Sequence, residues 1–179
     1  MTCAAVPFAE VKTANTNDAN LMLAEELVAL CRKHEIRVAT AESLTGGMIG
    51  SCITSISGSS QIYSGGIISY TNEAKASLLN VSKPSLETYG AVSDVVACEM
   101  AQGALNALGS NYAISVTGIA GPTGEEPGKP VGTVYIAVAS QEETSCIRYL
   151  FNGSRDDVRA TTVNFALRNM LEAIKSALD

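Results

Sequence analysis

The segment VATAESLTGGMIGSCI, residues 38–53, changes its pattern in mid-course. Its opening residues have the small and β-branched character of a buried strand, whereas GGMIGSCI has helical character, with small residues that permit close packing. A strand that feeds a helix through so short a joint must lay that helix back on its own sheet, which points to an α/β fold. The joint itself, Glu42-Ser43-Leu44-Thr45-Gly46-Gly47, is crowded with groups able to touch an anion. Ser43 can start the helix as its cap, or stand at the carboxyl end of the strand as a nucleophile. The segment alone leaves both readings open.

The rest of the chain alternates in the same way. After the polar TANTND, Asp18 is expected to cap a helix over residues 19–35, where Leu23, Leu27 and Leu30 recur at helical spacing. IYSGGIISY reads as a second strand, with Gly65 and Gly66 marking a bulge or a close backbone approach. Asn72 is expected to cap EAKASLLN, Pro84 and Gly90 to bracket KPSLETYG, and Ser93 to cap SDVVACEMAQGALNAL. The strand YAISVT then enters the glycine- and proline-rich GIAGPTGEEPGKPVG, and TVYIAVAS with SCIRYLF predicts an antiparallel hairpin. A terminal helix buries Val163, Leu167, Met170, Leu171, Ile174 and Leu178. The order predicts a three-layer α/β/α fold around a mixed, mostly parallel sheet, with an antiparallel hairpin near the C-terminus. Residues 1–17 read as a flexible N-terminal arm, and residues 18–179 as a single domain.

Composition narrows the partners. Twelve Lys and Arg against eighteen Asp and Glu leave a net charge of -6, and no basic run could track a phosphate backbone, so nucleic acid is not expected. An anionic small molecule must be held locally, by backbone N–H groups and one or two cations. Cys3, Cys31, Cys52, Cys98 and Cys146 are widely spaced, without CxxC or Cys/His patterns, and read as core residues in a reducing compartment. Neither a metal nor a cofactor is expected. With neither a signal-peptide pattern nor a membrane-length apolar run, the expectation is a cytoplasmic protein with no membrane partner.

If Ser43 is a nucleophile, something must take its proton. The one histidine, His34, sits at a helix end between Lys33 and Glu35, which argues against a Ser-His-Asp triad. Lys75, in the first turn of a helix, is the remaining base, because the helix end and burial both favour its neutral form. Tyr70, at the end of the preceding strand, could relay a proton at the same mouth. Thr117-Gly118 with Gly121 fixes a loop above the sheet, and Arg155 and Arg159 stand at the start of the last helix, where a cation opposes the dipole and anion binding is favoured. Each of these residues also has a purely structural reading.

Taken together, TAESLTGGMIGSCITSISGSS, GGIISYTNEAKASLLNV, GAVSDVVACEMAQGAL, SVTGIAGPTG, KPVGTVYIAV and GSRDDVR are more specific than any one alone. In this order they closely resemble the C-terminal domain of the competence/damage-inducible CinA family, which also occurs as stand-alone nicotinamide-nucleotide amidases. The resemblance implies hydrolysis of the carboxamide of nicotinamide mononucleotide to nicotinate mononucleotide and ammonia, without a cofactor. The family's serine, lysine and tyrosine correspond to Ser43, Lys75 and Tyr70. The substrate is then expected to meet Glu42, Thr45, Gly46 and Gly47 at one turn, and Thr117, Gly118, Gly121 and Arg155 at the other. Which turn takes the phosphate and which the oxyanion stays open. A larger nucleotide-processing domain precedes this one in two-domain relatives, and its pyrophosphatase activity is not expected here. The alternative is an inactive nucleotide-binding or regulatory module of the same fold. A homo-oligomer, dimer or tetramer, is expected.

Overall fold

The computed structural model describes residues 4–11 and 17–179. Strand β2 (Val38–Glu42) is buried along its whole length, as a strand covered on both faces must be. It pairs in parallel with β3 (Tyr63–Ile68) on one side and β4 (Tyr112–Gly118) on the other. The ladder continues antiparallel through β5 (Thr133–Ala139) and β6 (Thr144–Phe151), and ends in parallel on β1 (Ala4–Val11). The six-stranded sheet therefore runs β1-β6-β5-β4-β2-β3. The mixed sheet and the β5–β6 hairpin are those expected.

Alternation along the strands sorts two cores. Ala39 and Ala41 of β2, Ala113 of β4 and Ala137 of β5 face α5 (Asp94–Leu108) and the end of α3 (Asn72–Leu79), where small side chains let Val96, Met100 and Ala104 approach closely. The intervening positions Val38, Ile114, Val116 and Ile136 meet α1 (Asn17–Lys33), α2 (Met48–Thr54) and α6 (Arg155–Leu178) on the opposite face. Helix α4 (Lys83–Tyr89) completes the α5 side, with Leu86 packed against that core. Lys75 and Glu42 thus approach the same sheet end from opposite layers.

Several local expectations hold. Ser93 caps α5 by accepting from the Val96 N–H, Pro84 lies in the first turn of α4 and Gly90 ends it. The β2–β3 register slips between Val38 and Ala39, so Ser64 is a bulge, and Gly65 beside it takes φ 138. Gly66 is a close approach: a Cβ there would collide with the Tyr63 and Thr40 hydroxyls, which bond to each other at 2.7 Å.

Others are corrected. Helix α3 is capped by Thr71, which accepts from the Ala74 N–H, one residue before the expected Asn72; α1 begins at Asn17, leaving Asp18 in its first turn. Part of the expected loose arm is the strand β1. Its register shifts between Val6 and Ala9, around Pro7, which has no N–H to donate; an edge strand tolerates that loss. Residues 1–3 and 12–16 of that arm lie outside the described residues. Cys98 is disulfide-bonded rather than a free core thiol like Cys31 and Cys146, a pairing that spacing along the chain does not reveal.

Candidate functional site

The question raised by Ser43 is settled by its neighbour. Glu42, 2 % exposed at the end of β2, turns its carboxylate under α2. Oε2 accepts from the Thr45 hydroxyl at 2.6 Å, the Gly47 N–H at 2.9 Å and the Ile49 N–H at 3.1 Å, while Oε1 accepts from the Gly50 N–H at 2.9 Å. The helix end therefore carries its own buried anion, and no side chain at the N-cap is needed. The N-cap is Gly47, at φ 101, a left-handed backbone that strains any other residue. Ser43 is not a cap. Nor does Glu42 face a ligand as expected, because it is buried and both its oxygens are engaged by the protein.

Ser43 is instead pinned by its backbone. Its N–H donates to Val116 O at 3.1 Å, its carbonyl accepts from the Gly46 N–H at 3.1 Å, and the Ser69 N–H extends the neighbouring ladder to Glu42 O at 2.8 Å. The carboxyl ends of β2, β3 and β4 thus converge here, as at the ligand sites of open α/β sheets. Lys75 comes across from α3 and places Nζ 3.1 Å from Ser43 Oγ and 2.8 Å from the Ser69 carbonyl. Lys75 is 2 % exposed, and burial pulls its ammonium down from 10.5 to about 8. Near that pH a large fraction is neutral, and the lone pair can accept the Ser43 proton along the existing contact.

The other expected residues divide. Tyr70 is 61 % exposed and accepts a hydrogen bond from Arg155 Nη2 at 3.3 Å, while Arg155 Nη1 donates to Gly121 O at 2.9 Å. Tyr70, Arg155 and Gly121 therefore form one rim. Among the described residues no hydrogen bond joins the Tyr70 hydroxyl to Ser43 or Lys75; its link to them is Ser69, the preceding residue, which holds Lys75. Thr117 is buried and gives its hydroxyl to Ala91 O at 2.7 Å, so its side chain supports the floor instead of reaching a ligand. Gly118 is a packing glycine, since a Cβ there would stand 2.7 Å from Thr133 O. Gly46 and Gly47 are corrected as amide donors: the Gly46 N–H is bound to Ser43 O and the Gly47 N–H to Glu42. Among the described residues, only Thr45 of that trio keeps an uncommitted N–H.

Arg159 received no site role from sequence beyond general anion affinity. Its Nε donates to Leu44 O at 3.1 Å and its Nη2 to Thr45 O at 3.2 Å, gripping the turn after Ser43 from α6. The adjacent Asp156, 3.5 Å from Nη1, is almost fully exposed and adds little.

A mixed α/β/α sheet with a serine and a buried lysine at its carboxyl edge defines the class of this protein. The CinA C-terminal domain model matches residues 20–174, and the chain belongs to that family. A CinA-like protein of Sulfurihydrogenibium sp. (strain YO3AOP1) is 46 % identical over 148 residues, 83 % of this chain and 37 % of the relative. A CinA-like protein of Citrifermentans bemidjiense is 48 % identical over 143 residues, 80 % of this chain and 34 % of the relative. The chain thus spans about a third of the length of these curated relatives. Among solved structures, the competence/damage inducible protein CihA of Agrobacterium tumefaciens superposes with a TM-score of 0.84 at 39 % identity, covering 87 % of this chain and 95 % of that one. A CinA superfamily protein of Escherichia coli gives 0.85 at 36 % identity, covering 91 % and 94 %.

Proposed function

We propose that this chain is an amidase that hydrolyses the carboxamide of nicotinamide mononucleotide, with Ser43 as nucleophile and Lys75 as base. The observation that carries the reading is the buried Lys75 Nζ, 3.1 Å from Ser43 Oγ, with no carboxylate among its hydrogen-bond partners in the described residues. A buried lysine without an acidic partner has its neutral form favoured, as a base requires.

In this reaction Ser43 Oγ attacks the amide carbon as its proton passes to Lys75. The tetrahedral intermediate collapses as Lys75 returns that proton to the departing ammonia, with Tyr70 assisting at the mouth. Water, activated by the same lysine, then adds to the acyl-enzyme and releases nicotinate mononucleotide. Arg155 is free to exchange its weak contact with Tyr70 for the substrate phosphate, since the Gly121 carbonyl holds the guanidinium in place meanwhile. The protein works in the cytoplasm, as a homo-oligomer.

Purified protein incubated with nicotinamide mononucleotide should release ammonia and nicotinate mononucleotide, Ser43→Ala should not, and free nicotinamide should be left intact. Binding of the nucleotide without turnover, seen as a raised Tm, would refute the amidase and favour a sensing module.

A further inference from the structure

The turn after β2 has more amide N–H groups than ligands could use, and the structure accounts for them one by one. Glu42 takes those of Gly47, Ile49 and Gly50, Ser43 O takes that of Gly46, and Thr45 O takes that of Met48. The Ser43 N–H belongs to the sheet ladder. Among the described residues, the amides of Leu44 and Thr45 alone in this turn have no protein partner. Both residues are buried, Thr45 completely, so these are costly groups to leave unpaired without a purpose. They are the two central amides of the Ser43–Gly46 turn, successive N–H groups of the kind that forms an anion-binding concavity.

Their aim is set from α6. The peptide between Leu44 and Thr45 is trans, and in a planar trans peptide the carbonyl and the N–H point in opposite directions. Arg159 draws the Leu44 carbonyl toward α6, which directs the Thr45 N–H to the other side, the layer from which α3 brings Lys75. Its second bond, to Thr45 O, locks the next peptide as well. We infer that the Leu44 and Thr45 amides are the oxyanion hole for attack by Ser43, and that Arg159 is a positioning residue that fixes the Thr45 amide without touching the substrate, while the Gly46 N–H holds the Ser43–Leu44 peptide. This inference rests on the amidase reading for its substrate, but not for its geometry.

The test compares wild type with Arg159→Ala and Arg159→Lys on nicotinamide mononucleotide and on its thioamide, where sulfur replaces the carboxamide oxygen. A fitted hole prefers oxygen. In Arg159→Ala, kcat on the carboxamide should fall about 10- to 100-fold with KM changed less than about threefold, and the preference for oxygen over sulfur should shrink. Arg159→Lys keeps the charge but not the two-pronged grip, and serves where the alanine variant does not fold; it should shift the preference in the same direction by less. Equal losses on both substrates, or rates within about twofold of wild type, would overturn the inference.

A fluorophosphonate supplies a readout independent of the nucleotide, since Ser43 Oγ forms a bond to phosphorus and releases fluoride through the same oxyanion site. Slower labelling of Ser43 in Arg159→Ala is expected; equal rates would overturn the inference. Labelling of wild type without hydrolysis of the nucleotide would refute the substrate while leaving the hole to be judged on labelling rates. No labelling of wild type at Ser43 would overturn both.

Discussion

After β2 the chain turns through Leu44 to Gly47: Glu42 takes the Thr45 hydroxyl and the N–H groups of Gly47, Ile49 and Gly50, Ser43 O takes that of Gly46, and among the described residues the two central N–H groups of the turn are left. After β4 it turns through Ile119 to Gly124 in a different manner. There the Ile119 N–H is tied to Thr133 O and the Gly132 N–H to Ile119 O, and the Gly121 carbonyl receives Arg155. Both turns are rich in glycine and both leave the same end of the sheet, so composition does not tell them apart. The difference lies in what stands beside each turn. The first has its Leu44 and Thr45 N–H groups next to Ser43 and Lys75 and suits a developing oxyanion; the second has its Gly121 carbonyl on the Arg155 guanidinium and, through that cation, suits a phosphate.

The sharpest way to break this division is at the first turn. Ser43→Ala and Lys75→Ala should each lower kcat by about a thousandfold or more in a steady-state ammonia assay, with KM little changed. Loss of affinity with normal turnover in Lys75→Ala would remove it from the chemistry. Glu42→Gln comes next. It puts an NH2 where backbone N–H groups now converge, so stability should fall by about 3 kcal/mol in denaturant unfolding, and activity should fall with it. At the second turn, Arg155→Ala should raise KM by about tenfold or more while leaving kcat within a few-fold, the pattern of a lost phosphate contact. A drop in kcat alone would move Arg155 into the reacting centre.

Lys75 gives a smaller effect, on stability. Its folded value, about 8, lies below the 10.5 of the exposed side chain, so the unfolded chain holds the proton over a range where the folded chain has lost it. Stability should therefore rise with pH between these values, by about 3 kcal/mol at most, and stay flat below them, where the buried ammonium is a constant cost. Lys75→Met should be more stable than wild type near neutrality and lack the rise.

Much of this was legible along the chain, and the rest was hidden for identifiable reasons. The change of period across residues 38–53, the helix signals at Pro84, Gly90 and Ser93, and the hairpin are local patterns, so the layers and their order could be read from them. Ser43 and Lys75 could be paired because the only histidine was badly placed and a lysine followed the next strand. The role of Glu42 was missed because a carboxylate that caps a helix five to eight residues later is not a standard capping spacing. Arg159 was missed because its targets are carbonyls of Leu44 and Thr45, more than a hundred positions away and invisible as side-chain chemistry. Strand β1 was masked by Pro7 and the polar run that follows it.

The central claim is that Lys75, brought down to about 8 by burial, is the base for Ser43. The most direct measurement is kcat/KM for nicotinamide mononucleotide from about pH 6 to about pH 10, which reports the essential groups of the free protein. The lysine predicts a rise with a midpoint near pH 8 and a plateau above it. A flat profile, or a midpoint near about 6.5 as for an ordinary histidine, would contradict it.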